Sequence, residues 1–249
     1  MTMTSTLHDD KEPDRPYLES HPTKGMAMST TQPRNKTVAG LAPLLSGLAF
    51  AIVTVVAFVV LGHASSSPKI GSPTSKIVSF YTAHHSDEEL AAYLLAVSAA
   101  LLAVFVTACR ARFAAERSAW SDLFFGGGMV ASATFLVAGA VHLALAEGAA
   151  HHLNPTALQA LNALDINTGL AFAGGIAIML LGATATLSRR SDSTRILGWI
   201  AVPLAIINLT PAGVGAFPLT AIWIIATGIL ISRRADTDTR PLTAAALST

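Results

Sequence analysis

Six long apolar stretches that contain no Asp, Glu, Lys or Arg constrain the fold of this 249-residue chain more than any other feature. An α-helix of about 20 apolar residues spans roughly 30 Å, the thickness of the hydrocarbon core of a bilayer. The sequence therefore predicts an all-α fold, a polytopic membrane helix bundle with six transmembrane helices. The predicted spans are Val38–Gly62, Leu90–Ala108, Leu123–Ala146, Ile166–Ser188, Ile196–Leu209 and Val214–Ile231.

The Lys and Arg residues near these stretches alternate between the two sides of the predicted membrane. Eleven lie before the first span, in the second and fourth loops and after the last span, whereas the alternate loops hold only Lys69 and Lys76. Loops rich in Lys and Arg stay in the cytoplasm, so both termini are predicted to be cytoplasmic. The last two stretches are short and are predicted to form a hairpin around Thr210–Gly213, with a re-entrant hairpin as the alternative.

Composition and charge limit the kinds of partner that the protein can have. Only 12% of the residues are charged, against about 25% in soluble domains, because lipid replaces water around the bundle. The net charge is +1, and the positive residues lie at helix ends and form no basic patch. The lipid bilayer is therefore the expected partner, and a nucleic-acid partner is not expected. Residues 1–37 and 234–249 are predicted to be disordered cytoplasmic tails on either side of a membrane domain at 38–233.

Two local patterns predict how the helices are arranged. Apolar residues recur at helical spacing within Ile77–Tyr81, which is typical of a short helix lying at the membrane surface. Small residues at Gly126–Gly128 in the third stretch and at Ala171 and Gly175 in the fourth allow helix backbones to approach closely. These small residues are therefore predicted to be contacts inside the bundle.

Several short blocks resemble a group of Ala-rich bacterial multi-pass membrane proteins that share a domain of unknown function. The resemblance covers about residues 74–232, and it implies a bacterial plasma membrane and transfers no catalytic or binding residue. Arg also outnumbers Lys by eleven to five, a usage common in GC-rich bacterial genomes. The blocks are Phe80-Tyr81 with His84, Ala91–Leu95, Phe125–Gly128, Ala163–Asp165 and Leu197–Trp199.

Histidines and acids gather on the predicted external side. Six of the eight histidines lie there together with five acids, and imidazole and carboxylate are ligands of Zn²⁺ and Cu²⁺. A divalent metal bound by His142, Glu147, His151 and His152 is therefore one hypothesis. Their spacing matches no compact metal motif, so the simpler interpretation is a set of solvated loop histidines.

His142 is the only strongly ionisable residue inside a predicted span. Ionisable groups within a membrane are costly and mark functional sites by default. The structural alternative is a polar contact inside the bundle with Asn162, Asp165 or Asn167, across the loop that joins the third and fourth spans. Because this loop makes the third and fourth spans an antiparallel hairpin, His142, Glu147 and Asp165 are predicted to converge at the outer end of the bundle. Asp165 is also predicted to be the N-cap of the fourth span.

No phosphate-binding loop, nucleophile elbow or metalloprotease helix is present, so the sequence gives no basis for an enzyme. A membrane scaffold or accessory subunit, bound to another membrane protein or to a second copy of the chain, fits the small-residue faces. A metal- or pH-responsive sensor would use the external histidines and acids instead. A transporter of an uncharged small solute is the third hypothesis, since the spans lack the charges that couple ions to transport.

Overall fold

A computed structural model describes residues 36–63, 67–113, 118–190, 192–210 and 213–246, with side chains described except at 36–39, 63, 214 and 234–246. These residues form seven helices and no strand, which confirms the predicted all-α fold. The N-terminal tail lies outside the described residues up to position 35. The helices are α1 (Lys36–His63), α2 (Thr74–Ala83), α3 (His85–Phe113), α4 (Ala119–Ala150), α5 (Pro155–Leu187), α6 (Asp192–Asn208) and α7 (Gly213–Ala246).

Five of the helices are long and apolar enough to cross a membrane, namely α1, α3, α4, α5 and α7. The fifth predicted span corresponds to α6, which has 17 residues and is about 25 Å long at 1.5 Å per residue. It is therefore shorter than the roughly 30 Å core of a bilayer. The predicted hairpin is present: Asn208 Nδ2 donates to Thr220 Oγ1 at 3.1 Å, and Trp223 Nε1 donates to the Leu197 carbonyl at 2.9 Å.

The six long helices form a closed ring. Helix α1 packs against α3 and α7, α4 packs between α3 and α5, and α6 packs between α5 and α7. The short helix α2, at the position predicted from the sequence, lies across one end of this ring against α4 and α5. We call this end the α2 end. Its buried residues Ile77, Phe80 and Tyr81 cover the ends of α4 and α5.

Glycines set the distance between α4 and α5. A Cβ added to Gly127 would lie 2.3 Å from the backbone nitrogen of Met179, and one added to Gly175 would lie 2.6 Å from the backbone nitrogen of Ala131. No side chain fits at such distances, so the two helices touch backbone to backbone as the small residues predicted. Ala171, by contrast, is exposed.

Four phenylalanines from four helices fill the centre of the ring. Phe50 of α1, Phe135 of α4, Phe172 of α5 and Phe217 of α7 pack in a closed cycle, with ring centroids 4.6 to 6.3 Å apart. Aromatic pairs at these separations and tilted angles attract each other beyond the burial of their area. They form a floor below the α2 end.

Several helices extend beyond the predicted spans. Helix α5 begins at Pro155 and its N-cap is Asn154, whose side chain accepts a hydrogen bond from the Thr156 amide at 2.9 Å. The prediction that Asp165 is the N-cap is therefore wrong, since Asp165 lies three turns inside the helix. Helix α7 likewise continues to Ala246 through part of the segment predicted to be a disordered tail. Hydropathy marks where lipid surrounds a helix, but backbone capping decides where the helix ends.

Candidate functional site

Three ionisable side chains from three helices meet at the α2 end and form what we call the Glu–His–Asp cluster. His142 of α4 lies between Glu88 of α3 and Asp165 of α5. Its Nδ1 is 2.6 Å from Glu88 Oε2, and its Nε2 is 3.4 Å from Asp165 Oδ1. The side chains are 2%, 13% and 16% exposed for Glu88, His142 and Asp165. The cluster is thus largely shielded from water.

The local chain course explains how Glu88 reaches this position. Helix α2 ends at Ala83, and α3 begins two residues later at His85, with the amide of Glu88 donating to the His84 carbonyl at 3.0 Å. The junction leaves no loop, so Glu88 enters the bundle in the first turn of α3, beneath α2. The close glycine contacts of α4 and α5 then bring His142 and Asp165 to the same depth.

Each contact in the cluster requires a proton. A neutral imidazole carries one N–H, so its other nitrogen would direct a lone pair at a carboxylate oxygen. Either His142 is an imidazolium that serves both carboxylates, or one carboxyl group is itself protonated. With an imidazolium and two carboxylates the cluster keeps one uncompensated negative charge, and a further proton makes it neutral. The charge of the site therefore depends on how many protons it holds.

A hydrogen-bonded layer covers the cluster from the side of α2. Tyr81 donates its hydroxyl proton to Asn162 Oδ1 at 2.9 Å, and Asn162 Nδ2 donates to the Pro68 carbonyl at 3.2 Å. Both side chains are buried. Burial raises the pKa of Tyr81 well above its ordinary value, and the negative charges of Asp165 and Glu88 raise it further. Tyr81 is therefore a neutral hydrogen-bond donor at physiological pH.

A cavity of about 350 Å³ adjoins the cluster on the inner side of the ring. His142 and Asp165 lie at its polar end, and the phenylalanine floor lies at the other end. Helices α6 and α7 contribute none of its described lining residues. The lining residues are Phe58 and Leu61 of α1, Leu95 of α3, Thr134, Phe135, Ala138 and His142 of α4, and Asp165, Ile166, Thr168, Gly169 and Phe172 of α5.

The structure divides the predicted metal ligands between two places. His142 belongs to the cluster, whereas Glu147 lies on the surface, 3.5 Å from His85 Nε2 and 3.1 Å from His151 Nε2. His152 is exposed and has a φ of 54° just after α4, a left-handed conformation common after helix ends. Among the residues that the structure describes, no group of three or more His, Cys, Asp or Glu side chains is arranged so that it could hold a metal ion.

Of the three predicted polar contacts of His142, the structure shows only the one with Asp165. Asp165 contacts His142 directly, but Asn162 is bonded to Tyr81 and Pro68, and the exposed Asn167 donates to the Ala163 carbonyl of its own helix at 2.6 Å. The predicted convergence of His142, Glu147 and Asp165 thus holds for His142 and Asp165 and fails for Glu147. The outward course of Glu147 toward His85 and His151 explains the difference.

Glu88 is the residue that the sequence analysis missed. It lies just before the predicted start of the second span, where an acidic residue is typical of the first turn of a helix. The sequence does contain a pattern that indicates burial, because Glu88 precedes Ala91, Ala92 and Leu95 by three, four and seven residues. That spacing places it on the same helix face as these apolar residues, and all three are buried.

Comparison with known proteins adds no relative. No protein-family model, curated protein or solved structure matches this chain. The Glu–His–Asp cluster and its cavity are therefore the features from which a function can be inferred.

Proposed function

We propose that this protein is a multi-pass membrane protein that senses protons through the Glu–His–Asp cluster. The observation that supports the proposal is the position of His142, with the carboxyl group of the buried Glu88 against one ring nitrogen and that of the largely shielded Asp165 against the other. Histidine changes charge between about pH 5 and pH 8, which makes it the usual proton switch. In this cluster its charge is coupled to two acids on two other helices.

The energetic cost of the cluster favours a sensor over a scaffold. Moving ionisable groups out of water is expensive, and replacing a buried ion pair by apolar residues is often neutral or stabilising. A scaffold or accessory subunit requires only complementary packing surfaces and no such group. A buried Glu88 is therefore better explained by a response to protons than by stability.

A proton is also the ligand that best fits these residues. Each proton gained or lost changes the attraction that joins α3, α4 and α5. The titratable groups that face His142 are Glu88 and Asp165, and Tyr81 faces the two carboxyl groups from α2. The facing residues of α1, Phe58 and Leu61, carry no charge. Helix α2 would follow a change in the cluster through Tyr81 and Asn162.

Transport of an uncharged solute is less well supported. A solute that entered the cavity would have to pass the cycle of Phe50, Phe135, Phe172 and Phe217 to reach the opposite end. The proposal therefore uses the cavity as part of a sensing site and not as a pathway.

The proposed topology has six membrane passages, with α6 as the short fifth passage and α7 as the sixth. Eleven Lys and Arg residues against two support cytoplasmic termini by the positive-inside rule. In this orientation the α2 end faces the exterior, so the cluster reports external pH. A bacterial plasma membrane is the proposed location, as the resemblance to bacterial multi-pass proteins implies.

Infrared difference spectroscopy on the full-length protein in lipid nanodiscs tests the proposal. Between about pH 5 and pH 8, the range in which histidine titrates, we expect a protonated-carboxyl band to appear on acidification. Glu88→Gln or Asp165→Asn should remove or shift this band, because each deletes one proton site. Asp87→Asn, which alters a neighbouring acid outside the cluster, is the control and should leave the band unchanged. A band unaffected by both cluster substitutions, or no band at all, would refute proton sensing by this cluster.

A further inference from the structure

The cavity beside the cluster has the size and lining of a small-molecule site. Its volume of about 350 Å³ lies within the roughly 300–1,000 Å³ typical of ligand pockets, which are mostly apolar with a few convergent polar groups. Phe58, Phe135 and Phe172 supply three aromatic walls. An apolar, aromatic body of modest size would fill this part of the cavity.

The polar end of the cavity accepts hydrogen bonds and offers few donors. Asp165 Oδ1 faces His142, while its second oxygen has no hydrogen-bond partner among the described residues. Thr168, about one turn from Asp165 along α5, donates its hydroxyl proton to the Asp165 carbonyl at 2.6 Å. Its oxygen can still accept a hydrogen bond. A ligand that fits this end must therefore carry a donor.

Charge narrows the ligand class further. With His142 as an imidazolium, Glu88 and Asp165 leave one uncompensated negative charge next to an apolar space. A buried charge without a partner is costly, and a positive group placed against Asp165 would neutralise it. Aromatic faces within the same cavity also attract cations.

We propose that the cavity binds a lipophilic amine, a molecule with an apolar or aromatic body and one protonated amino group that pairs with Asp165. This inference rests on the proposed function in one respect, namely that the cluster carries an exchangeable charge. The amine takes the place of the proton that would otherwise neutralise the cluster. Acidification and the amine therefore compete.

The wall of the cavity is incomplete between α1 and α5. Helices α6 and α7 lie between them in the ring, yet neither contributes a described lining residue. Phe217, near the start of α7, touches Phe58 and Phe172 with ring centroids 5.4 and 5.7 Å apart, so α7 meets the cavity at its floor. The rim residues Phe58 and Ile166 are exposed, and Leu170 beside them is 73% exposed. An amine dissolved in the bilayer can enter between α1 and α5.

Three probes with the same body separate the charge from the apolar contribution. They are 4-phenylbutylamine, 4-phenylbutan-1-ol and 4-phenylbutanoate, titrated by calorimetry into the full-length protein in nanodiscs, with empty nanodiscs subtracted. We expect the amine to bind at least about tenfold more tightly than the alcohol, which corresponds to about 1.4 kcal/mol, and the carboxylate to bind most weakly. Asp165→Asn should reduce the difference between amine and alcohol to less than about threefold, by the same relation between affinity and free energy.

A second substitution tests the location without touching a charge. Gly169 lines the cavity, and a Cβ added there meets nothing within 4 Å, so Gly169→Leu should narrow the cavity and weaken all three probes while the fold is kept. Gly174 has the same open surroundings outside the cavity, and Gly174→Leu is the matched control that should bind like wild type.

The outcomes separate this inference from proton sensing. An amine that binds wild type no more tightly than the alcohol, or binding unaffected by Gly169→Leu, overturns the amine site. If the carboxyl band of the cluster still titrates in that case, proton sensing stands and only the amine site falls. If the amine preference depends on Asp165 while no carboxyl band titrates, the amine site stands and proton sensing falls.

Discussion

A double-mutant cycle on Glu88 and His142 gives the most direct measure of the cluster. The substitutions are Glu88→Leu, His142→Leu and the two together, which replace ionisable side chains by apolar ones. Removing Glu88 alone leaves the Nδ1 of His142 facing the space of the lost carboxylate, and removing His142 alone leaves two buried carboxyl groups without the imidazole between them.

The size of each effect follows from burial. Removing one partner of a buried ion pair costs about 3–5 kcal/mol of unfolding free energy, since the other partner stays buried and unpaired. Glu88 is 2% exposed, and its oxygen lies 2.6 Å from the imidazole, so each single variant should fall in that range. The double variant leaves only Asp165 without its partner. We therefore expect the loss of unfolding free energy in the double variant to be about 2–3 kcal/mol smaller than the sum of the losses in the two single variants. This difference is near the upper end of measured coupling energies.

Reversible unfolding in mixed micelles with increasing SDS, followed by the fluorescence of the three tryptophans, supplies the four free energies. Glu147 and His151 form the control cycle, because they are the same residue types at the same end, 3.1 Å apart but 45% and 77% exposed. Their coupling should stay below about 1 kcal/mol, as for surface ion pairs. A Glu88–His142 coupling as small as that of the control would show that the two side chains do not depend on each other, and the cluster would lose its physical basis.

Three further predictions concern residues around the cluster and in the helix contacts. The raised pKa of Tyr81 means that the folded protein holds this proton when the unfolded chain has lost it, so its contribution is complete below about pH 10 and declines above it. Tyr81→Phe should therefore remove up to about 1.4 kcal/mol per pH unit of alkaline destabilisation, measured by thermal unfolding, and an unchanged alkaline slope would contradict this reason. Gly127→Ala should lower stability by about 1–3 kcal/mol or more through overpacking, and Gly126→Ala, whose added Cβ meets nothing within 4 Å, should be neutral or stabilising; equal effects would contradict the close approach of α4 and α5. His152→Gly should stabilise by up to about 1 kcal/mol, because glycine adopts the left-handed conformation without steric cost, and a loss of thermal stability would refute that reason.

The sequence predicted those parts of the fold that depend on lipid and on helix contact. The all-α fold and the short helix within Ile77–Tyr81 follow from apolar stretches and their spacing, the close packing at Gly127 and Gly175 from small residues, and the hairpin of the last two helices from the turn at Thr210–Gly213. These signals are local, and each reports directly whether a residue faces lipid, a neighbouring helix or water.

The helix ends and the full cluster could not be predicted in the same way. A charge at the edge of an apolar stretch looks like the end of a span, yet α5 begins at Pro155, well before Asp165. Asp165 was therefore predicted to be a helix start although it lies three turns inside α5, whereas Glu88 does lie in the first turn of α3. Only tertiary contacts, among them the packing of α2 on α4 and α5, shield these two acids from water.

Helix α2 consequently has two roles that depend on each other. It dehydrates the cluster, which strengthens every electrostatic interaction within it, and it is held in place by Tyr81 and Asn162, whose hydrogen bond lies next to the same carboxyl groups. A change in the charge of the cluster alters the field at Tyr81, and a displacement of α2 admits water to Glu88. Under the proposed function, the proton number of the cluster and the position of α2 therefore form one coupled equilibrium, so that stabilising α2 against the bundle must also change the pH at which the cluster titrates.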